Sequence, residues 1–216
     1  MADYVGNVAE VTLRQPPPLD KTMAVERVEA SRVLLRDGDD VVAEAKPATL
    51  DMNVPSPPPF HEAIDASHNY LGFEYHPFPT CFVCGPDRSE TDGLRIFAGK
   101  NADSDMVSAP WVPDQGLADT QGNIKSEFLW SALDCPGYFA AIDNHYTPML
   151  LGRLTARIDH PVTPGEECVV LGWQISKEGR KHHVGTALFS GFGKLCGYAK
   201  AIWIQIDKPP RELEIR

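Results

Sequence analysis

The stretch from Met149 to Ile206 limits the fold of this chain more than any other part of it. It divides into four long runs, Met149 to Ile158, Glu167 to Ser176, His183 to Ser190 and Leu195 to Ile206. Between them lie Pro161-Val-Thr-Pro-Gly165, Lys177-Glu-Gly-Arg180 and Gly191-Phe-Gly193, all turn-forming segments. Short turns of this kind join antiparallel neighbours. Val169, Leu171, Trp173 and Ile175 alternate with Cys168, Val170, Gly172 and Gln174, so both faces of this run are fairly apolar. One face is expected to cover a helix and the other to meet a second sheet.

The helix is predicted just upstream. Phe128, Leu129, Ala132 and Leu133 recur at helical spacing, as do Tyr138, Phe139, Ala141 and Ile142. The pattern predicts a long central helix over 124–142. Pro136 falls in its middle and must kink it or start a fresh helix, with Asp134 close to an N-cap position. Leu94 to Phe97 and Met106 to Trp111 read as two strands ahead of it.

Three regions follow from composition. Residues 1–50 read as a strand meander: Val8 to Leu13, Met23 to Val28, Ser31 to Leu35 and Val41 to Ala45, with Asp37-Gly38-Asp39 as a hairpin turn. Residues 51–92 carry Pro55, Pro57, Pro58, Pro59, Pro77 and Pro79 and read as an ordered linker, with a short helix from Phe60 to Tyr70. Residues 93–216 hold the strand–strand–helix–four-strand order and form a complete domain.

Within that domain, Leu151-Gly-Arg-Leu-Thr155, Pro161-Val-Thr-Pro-Gly-Glu166, Gly179-Arg180 and Gly193-Lys-Leu-Cys-Gly197 up to Trp203 resemble, in that order, the closing half of hotdog acyl-CoA thioesterases. The resemblance implies an α+β hotdog fold, a long central helix wrapped by an antiparallel sheet. Residues 1–50 resemble the same closing half again: Leu19 to Met23 matches Pro161 to Gly165, and Asp37-Gly38 matches the Lys177 to Arg180 hairpin or the Gly193 turn. The chain therefore resembles a double hotdog whose first copy lacks its opening strands and helix.

Charge and cysteine usage narrow the function. A net charge of -10 argues against nucleic acid as partner. No apolar run is long enough to span a bilayer, and Met1 to Gly6 has no leader character. Five cysteines, an odd number, fit free thiols in a cytoplasmic protein.

Ala132-Leu-Asp-Cys-Pro-Gly-Tyr138 is the best candidate for chemistry. Asp134 would position or activate water, and the backbone N–H groups of Gly137 and Tyr138 would polarise a carbonyl, as at a helix start. The resemblance implies hydrolysis of an acyl thioester there, with Thr155 and Gln174 assisting, and a homo-oligomer, most simply a dimer. Tyr138 is a candidate substrate contact, and Arg153 and Arg157 are further candidates for holding phosphates. Its departure from the common His-Gly-Gly at the helix start favours the alternative of a non-catalytic acyl-CoA binder. A dehydratase would need a His near the helix, and His145 alone is near. The basic stretch Gly179-Arg180-Lys181-His182-His183 is a candidate phosphate clamp, with a solvated hairpin tip as the plainer alternative. Coenzyme A enters as part of the substrate, and no separate cofactor is expected. Cys81-Phe-Val-Cys84 supplies two of the four ligands of a structural zinc. His76, His61 or His68, or a second chain's thiols, could add the rest, and a redox pair is a further alternative, but with no second such pair in the sequence packing is the expected role.

Overall fold

The structure, a computed structural model, describes residues 5–207 apart from 19, 30 and 143–144. The four C-terminal runs form β7 (Met149–Ile158), β8 (Cys168–Glu178), β9 (Lys181–Phe189) and β10 (Leu195–Gln205), each antiparallel to its neighbour. The N-terminal meander forms β1 (Val8–Leu13), β2 (Ala24–Glu29), β3 (Arg32–Asp37) and β4 (Asp40–Pro47). A short hairpin, β5 (Gly99–Lys100) and β6 (Val107–Trp111), completes a 10-stranded sheet in the order β2-β3-β4-β1-β7-β10-β9-β8-β6-β5. Regions 1–50 and 93–216 are thus joined by backbone pairing of β1 with β7, where Val11 lies opposite Leu154.

The order is the same on both sides of that seam. Moving outward from it, each half places its first strand, then its fourth, third and second. The tight turns correspond as well. Gly38 between β3 and β4 has φ 59°, and Gly193 between β9 and β10 has φ 73°. Both sit in the left-handed region that glycine enters without Cβ strain. By place in the strand order Gly38 and Gly193 each join the third and fourth strands of their half, while Gly179, at φ 58°, has the same backbone between β8 and β9. Leu19, in the loop compared with Pro161 to Gly165, lies outside the described residues, as does the start of the Met1 to Gly6 segment.

The expected long central helix is two shorter ones. α1 (Phe60–Ser67) belongs to the linker; α2 (Ser126–Ala132) and α3 (Cys135–Ala141) divide the 124–142 segment. Pro136 breaks it, because it has no N–H to donate back to Ala132 and its ring displaces that turn. The break frees the carbonyl of Leu133, and Thr186 Oγ1 on β9 donates to it at 2.7 Å. Every residue of α3 is buried. Gly172 on β8 lets this happen: a Cβ there would lie 2.6 Å from the Pro136 carbonyl oxygen.

The other face of β8 and β9 does not meet a second sheet. Leu171, Ala187 and Phe189 are covered by Val54, Met106, Trp173, Leu195 and Tyr198. Tyr198 Oη donates to the Leu50 carbonyl at 3.2 Å. The proline-rich strand of linker lies across the sheet as a strap, since prolines cannot donate to a ladder. Leu94 to Phe97 is likewise not a sheet strand. Leu94 N–H donates to the Phe82 carbonyl at 2.7 Å and Ile96 N–H to Val83 at 2.8 Å, so this run pairs with the C-x-x-C loop instead. No helix of the described residues is long and apolar enough to cross a membrane.

Candidate functional site

Asp134 stands between α2 and α3 with its backbone in the helical region, and its side chain caps nothing. Its Oδ1 is buried without a hydrogen-bond partner. Burial, with the Cys81 sulfur adding to it, pushes the Asp134 carboxyl up to about 7. The residue lines a cavity of about 480 Å³ between α3, the ends of β1, β7 and β10, and the loop around His76. The walls are mostly apolar, with Leu13, Phe78, Tyr138, Phe139, Met149 and Ile204 among them. Trp203 on β10 lines the same cavity, and its Nε1 is also buried without a partner. Asp134 and Trp203 therefore line one cavity, and each carries a buried polar atom, an acceptor and a donor, that the described residues leave unmatched. Natural proteins rarely leave such groups unpaired, because each costs roughly 1–3 kcal/mol.

A β-bulge shapes this wall. Opposite Ile202 and Trp203 the register passes from Arg153 to Leu151, skipping Gly152. The slip puts both Leu151 and Leu154 against the helix-side core. It also decides where the expected helpers go. Thr155 follows Leu154 and so points to the opposite face of the sheet, between Glu10 and Lys200 in the register. Arg153 shares that face: its Nε donates to Thr12 Oγ1 at 3.1 Å and lies 3.6 Å from Glu10. Neither reaches Asp134. Gln174 is exposed and lines a different cleft, on the far side of Phe139, with Trp173 and Lys100.

Gly137 also differs from expectation. Its N–H donates to the Asp134 carbonyl at 3.0 Å, so it is engaged within the turn. A Cβ at Gly137 would lie 2.8 Å from Val184 Cγ2 and 3.0 Å from Trp203 Nε1, so glycine is required for α3 to touch the sheet here. Tyr138 does line the cavity, and its hydroxyl donates to the Thr147 carbonyl at 3.1 Å. Arg180 and Lys181 sit at the exposed β8–β9 hairpin tip. That tip is close to the cavity rim: Gln205 N–H donates to the Arg180 carbonyl at 2.8 Å, and Ile204 and Ile206 on either side of Gln205 line the cavity.

The C-x-x-C loop completes the site from a direction that local sequence did not show. Cys81 and Cys84 lie against Cys135, at the start of α3, and the three sulfurs are all within 4.8 Å of one another. Cys81 Sγ is 3.7 Å from Cys135 Sγ and 3.7 Å from Cys84 Sγ. Donation from these two thiols, and from the backbone N–H groups of Cys84 and Val83, pulls the Cys81 thiol far below its ordinary value. Cys135 is pushed well above it by its bonds to Cys81 and Cys84 and by burial. His76 Nδ1 accepts from the Phe78 N–H at 3.0 Å, and its Nε2 lies 3.2 Å from Cys84 Sγ. Burial lowers the His76 pKa, which favours the neutral ring. With Nδ1 accepting, Nε2 carries the proton and donates it to the sulfur. His76, one of the histidines considered beside the C-x-x-C pair, does lie against it, whereas the third thiol, Cys135, was not expected there.

No protein-family model matches the sequence, and no curated protein sequence matches it. Solved structures do match in three dimensions, and the likeness is one of fold: the chain has the hotdog fold also found in proteins described as thioesterases. A tesB protein of Mycobacterium avium subspecies paratuberculosis superposes with a TM-score of 0.56 at 11% identity, covering 94% of this chain and 78% of that one. A protein described as belonging to the thioesterase superfamily gives 0.51 at 16% identity over 58% of this chain, which spans 63% of that protein's length. The Escherichia coli PaaI protein of the phenylacetic acid degradation operon gives 0.50 at 13% identity, covering 68% of this chain and 94% of that one.

Proposed function

We propose that the cavity beside Asp134 is the acyl site of a thioester hydrolase acting on an acyl-CoA. The observation that carries this reading is that Asp134 and Trp203 line one apolar cavity and each keeps an unmatched buried atom, Oδ1 as acceptor and Nε1–H as donor. A thioester needs both. Its carbonyl oxygen would accept from the indole N–H, which polarises the carbon and steadies the developing oxyanion. Asp134 would hold a water and take its proton as the oxygen attacks. The C–S bond then breaks, the acid keeps the new C–O bond, and the departing thiolate recovers the proton from Asp134. The apolar walls suit an acyl chain, and Arg180 and Lys181 beside the rim suit coenzyme A phosphates. In this reading Trp203 does the work that Gly137 was expected to do, and Thr155, Arg153 and Gln174 have no part in it.

The four strands β1–β4 fit an incomplete second hotdog module, because they repeat the order of β7–β10. A second copy of the chain would then supply the cover that β1–β4 lack, giving a homodimer. Light scattering on the purified protein tests the dimer directly.

The rival reading is an acyl-CoA binder without turnover, and the engaged Gly137 N–H favours it. A panel of acyl-CoAs, assayed for free-thiol release, separates the two. Asp134→Asn is expected to lower kcat by roughly 10²–10⁴ while leaving acyl-CoA binding in place. Equal rates for the two proteins would remove Asp134 from the mechanism. Tight binding with no thiol release by the wild type would establish the binder.

A further inference from the structure

We infer that Cys81, Cys84 and Cys135 form a zinc site with three thiolate ligands and a fourth position open to the cavity. The spacing is the first argument. Zn–S bonds of about 2.3 Å in tetrahedral geometry place sulfurs roughly 3.8 Å apart. The two sulfur pairs around Cys81 stand at 3.7 Å, and all three sulfurs fall within 4.8 Å. Two sides of the triangle already have the spacing that one ion needs, and the third lies within 4.8 Å. Packing alone does not require such a cluster: Cys168 and Cys196, also buried and free, lie outside it.

The loop closes tightly around the C-x-x-C pair. Gly85 closes the turn, with its N–H on the Cys81 carbonyl at 2.9 Å, and a Cβ there would lie 2.5 Å from the Cys81 nitrogen. That tight turn aims both sulfurs of the C-x-x-C pair at one point, and α3 brings the third from far away in sequence.

His76 is a positioning residue and not the fourth ligand. Ligation through Nε2 would move the ring proton to Nδ1, where the Phe78 N–H already donates. The ring instead presents Nε2–H to Cys84 Sγ, as an outer-shell donor does to a metal-bound thiolate. Three protein ligands leave one coordination position, and Cys81, Cys84 and Cys135 all line the cavity. Binding displaces to solvent the protons that the thiols still carry, and water or a small soft anion fills the fourth position. The ion would pin the 76–96 loop to α3.

The test reads metal, not turnover, so its failure and that of the thioester reading are distinguishable. The full chain is purified without chelator from zinc-supplemented medium and analysed for metal. One zinc per chain is expected, lost in Cys81→Ser and in Cys135→Ser and kept in Cys196→Ser. Reduced, metal-free wild type is then titrated with Co²⁺, which needs no variant to fold. A near-ultraviolet charge-transfer band with the strength of three thiolates, and tetrahedral visible bands that shift on adding 2-mercaptoethanol, are expected. His76→Gln should keep one zinc with affinity lowered roughly 10–100-fold. Metal-free wild type with no charge-transfer band on cobalt addition would overturn the site, as would a Cys81–Cys84 disulfide that binds no metal after reduction. Full zinc in both cysteine variants would overturn the ligand set. A cobalt spectrum of four thiolates, or one unmoved by the added thiol, would overturn the open position.

Discussion

The strands β1–β4 and β7–β10 are stacked in the same order on either side of one seam, and both bury aliphatic side chains, Val33 and Val42 in the first and Leu171 and Leu188 in the second, yet their faces are covered differently. β7–β10 run nine to eleven residues and are closed on one face by α3 and on the other by the 50–54 strap. β1–β4 run six to eight residues, leave Val25 and Val28 exposed, and carry a lattice of ion pairs: Arg14–Glu44, Arg32–Glu44, Lys46–Glu10 and Arg36–Glu26. Exposed ion pairs contribute about 0–1 kcal/mol each, whereas a buried aliphatic side chain contributes about 1.5–3 kcal/mol. Strand order is therefore a weak guide to stability. What sits on the faces decides it, and the cavity lies where the well-covered half meets the poorly covered one.

The largest expected effect breaks the covered half. Leu188→Ala, at a fully buried position on β9, should cost about 2–5 kcal/mol in urea unfolding. Val25→Ala on β2, at 45% exposure, should change stability by less than about 0.5 kcal/mol. Comparable losses at the two sites would refute the contrast. Next comes the helix break. Thr186→Val keeps shape and removes the donor to Leu133, and should cost about 1–3 kcal/mol in the same measurement. An unchanged midpoint would mean that the Leu133 carbonyl has another partner.

The smallest effect belongs to the ion-paired half. Hydrogen bonding from Arg32, followed by the partly opposing effect of burial and by Arg14, leaves the Glu44 pKa below its ordinary 4.5. A carboxyl depressed on folding stabilises above its unfolded value and loses that contribution as pH falls through the folded one. Glu44→Gln should therefore cost about 0.5–1 kcal/mol at neutral pH and little in acid, with 1 M salt shrinking the difference. A loss independent of both pH and salt would show that Glu44 acts through packing instead.

Much of the fold is legible because it is periodic. Val8 to Leu13 and Met149 to Ile158 are strands with the limits their alternation suggests. Pro136 announces a break in the helix, though not that two seven-residue helices result. Leu94 to Phe97 misleads because alternation shows that a run pairs, not with what. The same limit applies at the site. Asp134 is visible from its place before Cys135-Pro136, but Thr155, Gln174 and Arg153 go elsewhere because one bulge at Gly152 and the strand phase assign each to a face.

The amino-acid sequence by itself determined most strand and helix segments, the break at Pro136 and the place of Asp134 at that break, since these depend on neighbours a few residues apart. Only the tertiary structure decided that Trp203 stands with Asp134 in one cavity, and that Cys135 joins Cys81 and Cys84. Those contacts span long stretches of chain, and they exist because α3 is pressed onto β8–β10 while the C-x-x-C loop is pressed onto α3. Packing of that kind leaves no periodic trace in the chain.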